Sequence, residues 1–79
     1  MWQPITQHEL QELSWIETEA GWWRIVADLT CGVCGAYQAA DCDPTNDKQK
    51  TLQLCVRLFN SVGWRVDGTG KVHCLDCAR

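Results

Sequence analysis

Cys31-Gly-Val-Cys34-Gly35 and Cys74-Leu-Asp-Cys77 are the stretches on which the reading of this chain turns. Two residues between cysteines let one tight turn bring both sulfurs onto one ion. Glycines such as Gly32 and Gly35 let backbone amides approach those sulfurs. Two such pairs supply the four thiolates of a closed tetrahedral zinc site, each sulfur about 2.3 Å from the metal. One isolated pair is a weak signal. Two pairs, each at the end of a predicted strand and separated by a domain-sized insert, are a strong one.

The need for such a site follows from size. A chain of 79 residues buries only about 60–65% of its unfolded surface. Its core rarely supplies more than about 3–5 kcal/mol, so a staple is expected. Six cysteines offer either disulfides or metal ligands. Met1-Trp2-Gln3-Pro4-Ile5 has neither the basic start nor the apolar run of a secretory signal. No stretch reaches the 18 or so apolar residues of a membrane span. The expected compartment is therefore a reducing cytoplasm, where paired cysteines bind metal. One zinc ion held by Cys31, Cys34, Cys74 and Cys77 is the expected cofactor.

The other metal-binding side chains fit the site less well. Cys55 falls on an apolar helical stripe and reads as a core residue. Cys42 lies in a turn. His73 directly precedes Cys74 and would point to the opposite face of a strand. His8 reads as a solvated residue.

Working outward, residues 22–30 alternate as a half-buried strand, with Trp23, Ile25, Ala27 and Leu29 toward the core. Ala36 to Ala40 has room to return as a short antiparallel strand. Asp41-Cys-Asp-Pro-Thr-Asn-Asp47 is turn chemistry. A helix is predicted from just after Thr45 or Asp47 to Ser61, with Leu52, Cys55, Val56 and Phe59 as its buried stripe. Trp64-Arg-Val-Asp67 and Lys71-Val-His-Cys74 flank Asp-Gly-Thr-Gly and read as a hairpin. At the N-terminus, Thr6 and Glu9 form a capping box with Ile5 as the staple residue. Leu10, Leu13, Ile16 and Ala20 recur at helical spacing and Gly21 reads as a stop, so a helix is predicted over 7–20.

The expected fold class is thus α+β, with two helices packed on a short antiparallel sheet carrying two Cys-x-x-Cys knuckles. The chain reads as a single zinc-binding domain over 1–79, with an N-terminal helical extension (1–21) and a zinc-knuckle core (22–79).

The succession Cys31-Gly-Val-Cys34-Gly, helix, Gly63-Trp64-Arg-Val, Cys74-Leu-Asp-Cys77-Ala78 resembles small four-cysteine zinc-finger proteins encoded by phages and prophages. These are zinc-ribbon or treble-clef-like, and the resemblance covers about residues 29–79. It implies a cytoplasmic accessory protein of a mobile element. By analogy it extends to inhibition or modulation of a host complex in CRISPR defence, restriction or transcription.

Charge and aromatics direct the functional reading. Residues 1–44 carry a formal charge of −6 and residues 45–79 carry +3, for a net −3. Four thiolates and one zinc would move that to −5. A net acidic chain is a poor general ligand for phosphate backbones. Five tryptophans are many for this length, and tryptophan is enriched at binding hot spots. Trp15, Trp22, Glu12 and Glu19 are the candidate partner-binding residues. The sequence shows no Ser/His/Asp set, phosphate-binding glycine loop or open metal position. The leading expectation is a non-enzymatic binding module acting by protein–protein contact. One alternative is a nucleic-acid-binding ribbon using Lys48, Lys50, Arg57, Arg65 and Lys71. Another is a rubredoxin-like or dithiol redox protein.

Overall fold

The computed structural model describes residues 1–78, and Glu12 by its backbone alone. The elements are β1 (Gln3–Pro4), β2 (Gln11–Glu17), β3 (Trp23–Thr30), β4 (Tyr37–Ala39), α1 (Lys48–Ser61), β5 (Arg65–Val66) and β6 (Val72–His73). Among the described residues they form two three-stranded antiparallel sheets, ordered β1-β5-β6 and β2-β3-β4, with one α-helix. The expectation of two helices on one short sheet is therefore overturned. Where the first helix was predicted there is a strand, and the N-terminal segment is part of both sheets rather than a helical extension.

The physical reason lies in β3. Its inner face, Ile25, Ala27 and Leu29, is almost wholly buried. Its backbone N–H and C=O groups need partners on both sides. β4 and Thr45 serve one side, Thr45 through a two-way backbone pairing with Trp23. β2 serves the other, in a register that sets Trp15 opposite Ile25 and Ile16 opposite Arg24. This long-range ladder outweighs the local helical signal. The capping box does form, with Thr6 N–H and Oγ–H donating to Glu9 and His8 N–H donating to Thr6. It starts only a 3-10 turn over Gln7–Glu9, after which Leu10 is already extended. Of the predicted helical stripe, Leu10 packs against the core, while Leu13 and Ile16 stay 43% and 47% exposed. Gly21 ends no helix. It closes the β2–β3 hairpin at φ +79°, a conformation glycine takes without a steric penalty. Its N–H donates to Thr18 C=O, and Thr18 N–H to Trp22 C=O.

The α1 helix starts where turn chemistry places it. Asp47 is the N-cap, its carboxylate accepting from Gln49 N–H. Its buried face is Thr51, Cys55 and Phe59, with Leu52 and Val56 at the margin. Thr51 is polar yet fully buried, which is tolerated because its hydroxyl engages Thr45 Oγ1 (2.6 Å), Trp23 C=O (3.1 Å) and Asp47 C=O (3.2 Å). Near the other end, Asn60 accepts from Ile5 N–H (2.7 Å) and donates to Ile5 C=O (3.0 Å). This amide acts like one residue of a neighbouring strand and seats Ile5 in the core. Phe59 and Trp64 meet edge to face at 6.4 Å and join helix to hairpin.

Candidate metal centre

The first knuckle follows β3 and the second follows β6, so the sulfurs gather where the two sheets come together. Cys31 N–H donates to Ala36 C=O (2.7 Å), closing the first turn, and Gly35 turns the chain at φ +77°. Gly32 N–H donates to Val72 C=O (2.8 Å), which lashes this knuckle to β6. Ala78 N–H donates to Cys74 C=O (2.9 Å) and closes the second turn.

The Sγ atoms of Cys31, Cys34, Cys74 and Cys77 all lie within 4.8 Å of one another, and Cys34 and Cys74 are 3.6 Å apart. Metal–sulfur bonds of about 2.3 Å in a tetrahedron put sulfurs about 3.8 Å apart. The residues present therefore fit one metal ion, with four thiolate donors and no position left open. The two knuckles contribute alike: Cys31 and Cys74 are buried, Cys34 is exposed and Cys77 half-buried.

Backbone amides make the site receptive to charge. Burial would raise the Cys31 thiol, but the amides of Cys34, Cys74 and Val33 outweigh it and lower it to about 6. Val33 N–H lies 3.4 Å from that sulfur. Ala36 N–H favours a thiolate at Cys34, yet the neighbouring sulfurs of Cys74 and Cys31 push the group upward overall. Cys77 is pushed up to about 12 by hydrogen bonding with Cys34 and Cys74. Four sulfurs this close cannot all ionise without a cation among them. A divalent ion supplies that charge, and its binding must release protons.

The remaining candidates fall elsewhere. Cys55 is in the core, and burial pushes its thiol up to about 11. Cys42 is half-buried, and its thiol is raised by burial and by Asp41 and Asp43. His73 turns away from the sulfurs. Its Nε2 is 2.8 Å from Asp67 Oδ2 and its ring meets Trp2 edge-on at 4.6 Å. His8 is exposed in the 3-10 turn.

The candidate partner-binding residues lie along β2 and its turn into β3. Trp15 is half-buried on the helix side of β2, edge-on to Trp23 at 6.4 Å, with Lys48 Nζ 5.5 Å from its ring centre and 4.0 Å from that of Trp23. Trp22 stands 48% exposed at the β2–β3 hairpin, and Glu19 is exposed in its turn. The Glu12 side chain lies outside the described residues. Two of the basic candidates are engaged within the fold. Lys48 is taken up by the two tryptophans, and Arg65 donates to Asn60 C=O (2.9 Å) and Trp64 C=O (2.6 Å). Lys71 lies along Gly32 beside the first knuckle. Lys50 and Arg57 are exposed on α1.

The sequence reading missed the open outer face of the β2-β3-β4 sheet. There Val26 at its centre is 42% exposed opposite Ser14, with Ile16 on the diagonal opposite Arg24 and Tyr37 donating to Asp28 (3.1 Å). The polar-side alternation of residues 22–30 held that signal. Among the described residues no helix is long and apolar enough to cross a membrane. Comparison with protein-family models, curated proteins and solved structures gives no match.

Proposed function

We propose that this chain is a zinc-stabilised binding module that acts through protein–protein contact. The observation that carries the reading is the closed set of four sulfurs within 4.8 Å, tied to the ends of β3 and β6. Such a shell has the form of a structural site, in which the metal stabilises the fold and leaves no coordination position for a substrate. Function then belongs to the surface that the site holds in shape. That surface includes the apolar outer face around Val26 and the acidic β2–β3 hairpin with Trp22. Engagement of Lys48 by two tryptophans and of Arg65 by backbone carbonyls favours this reading over a phosphate-binding one. Its finer form, a mobile-element accessory protein that modulates a host complex, rests on the resemblance in residues 29–79.

The test has two parts. Native mass spectrometry of the reduced protein is expected to show one zinc and a colourless sample; a coloured iron form overturns the zinc assignment. Immobilised zinc-loaded protein is expected to retain a defined protein partner from host lysate and to release it on chelation. Salt-dependent retention of DNA or RNA with no protein partner overturns the module reading.

A further inference from the structure

We infer that the outer edge of β2 is a docking strand for an extended basic segment of a partner protein, added as a fourth strand to the β2-β3-β4 sheet. This rests on the reading of the chain as a protein-binding module and names the surface that would serve it.

Among the described residues β2 pairs with β3 alone, so its other side is open over Gln11–Glu17. The register shows which backbone groups face outward. Trp23 spends its N–H and C=O on Thr45, on the side away from β2. Glu17, directly opposite Trp23, is therefore a non-bonded pair in the ladder and turns its own N–H and C=O outward. Thr18 agrees, donating to Trp22 C=O in the next, bonded pair. Alternation then puts the N–H and C=O of Trp15 outward too, while those of Ile16 face β3. Two residues thus offer four backbone groups in the spacing that an added strand requires.

The edge carries little of the usual protection. Proteins commonly blunt an open edge with lysine, proline or a short strand. β2 is seven residues long and has none of these basic or cyclic residues, while Leu13 and Ile16 are exposed along it. A register shift between Gln11 and Ser14 irregularises only its first half, leaving the Trp15–Glu17 half regular.

Charge selects the occupant. The chain up to Arg24 holds Glu9, Glu12, Glu17 and Glu19 and no lysine or arginine. The nearest cations are engaged, Lys48 over Trp15 and Trp23, and Arg24 with Asp41 at 3.6 Å. A second copy would bring the same glutamates against this strand, which like-charge repulsion disfavours. A strand with lysine or arginine at alternate positions meets Glu17 with opposite charge, and the apolar residues between would lie on the side of Ile16.

The experiment is an amide NMR titration of the zinc-loaded protein with three peptides: alternating valine and lysine, valine and glutamate, and valine and threonine. The valine–lysine peptide is expected to shift and protect the Trp15 and Glu17 amides while leaving Ile16, already bonded to β3, little changed. The exposed double variant Glu17→Lys/Glu19→Lys is expected to bind that peptide about tenfold more weakly at low salt and to gain affinity for valine–glutamate. Glu17→Pro, which removes one outward N–H and leaves the β3 ladder intact, is expected to abolish binding. Equal binding of the three peptides overturns the charge assignment, and concentration-dependent self-association through β2 overturns the choice of a foreign partner. Shifts confined to Val26 and Tyr37 overturn the edge while leaving the module reading standing. No shift at about 1 mM peptide overturns the proposal, and the lysate capture then still tests the module reading separately.

Discussion

Withdrawing the metal should unfold the protein, and the structure sets the scale. An ion held by the four sulfurs would join the end of β3 to the end of β6 across the segment between Cys34 and Cys74. Closing a loop of about 40 residues removes about 4 kcal/mol of chain entropy from the unfolded state, by analogy with a disulfide. A core of this size contributes about 3–5 kcal/mol net. Losing the closure alone therefore takes most of the stability, before the sulfurs' mutual repulsion and reprotonation are counted. The assay is near-UV circular dichroism and a guanidine titration under reductant, before and after chelation, with zinc restored at the end. The tryptophan signal from Trp23 and Trp64 is expected to collapse on chelation and return with zinc. Cys34→Ser/Cys77→Ser, which changes the two less buried ligands, should reproduce the collapse without a chelator. A metal-free protein with an unchanged signal and an unfolding free energy within about 1 kcal/mol of the loaded form would refute the reasoning.

Other expectations follow from individual residues. Cys42→Ser and Cys55→Ala should each still bind one zinc by native mass spectrometry, because neither sulfur belongs to the cluster; loss of the ion in either would place that residue in the site. Thr51→Val should lower stability by about 1–3 kcal/mol in chemical denaturation, since a fully buried hydroxyl with three partners is lost, and Thr51→Ser should recover much of it. Gly21→Ala should cost about 1–2 kcal/mol although its surroundings are open, because the penalty is in the backbone at φ +79°. The carboxyl of Asp67 is held well below its usual range by Thr69, His73 and Lys71. A depressed carboxyl stabilises fully above its ordinary value of 3.8 and loses that contribution as pH falls below it. Zinc is expected to leave at higher pH, because protons compete for thiols whose ordinary value is 9.0. Asp67→Asn should thus lower the melting temperature at neutral pH and, because release of the ion unfolds the chain, move zinc release to slightly higher pH.

What the chain discloses in advance depends on the range of the forces involved. The α1 helix was legible because Asp47, the turn before it and the Cys55/Phe59 spacing are all local. The inner face of β3 and the Cys-x-x-Cys pairs were legible for the same reason. The β2 strand was not, because Leu10, Leu13 and Ile16 satisfy a helical period while the deciding interaction is a ladder to β3 across a turn. Thr6 and Glu9 reinforced the error: their box is real, but a cap nucleates a helix without obliging it to continue. β1 was invisible in two residues, one of them a proline tolerated at a sheet edge. Its seat depends on Asn60, a distant side chain that no local pattern marks. At the metal centre, spacing picked out the four sulfurs, whereas the amides that lower Cys31 and the unequal burial of the ligands needed the folded arrangement.

That unequal burial bears on how quickly the ion can be exchanged, as distinct from how tightly it is held. Each knuckle offers one sulfur to solvent and keeps one inside. With an ion held there, a competing thiol would have access from the side of Cys34, while Cys31 and Cys74 are the ligands shielded between the sheets. Transfer by such a route is associative, so its rate should rise with the concentration of the acceptor. A centre sealed on all sides would instead release metal only as fast as the chain opens. Strong thermodynamic retention and rapid handover to an acceptor are thus compatible in the same four-cysteine cage.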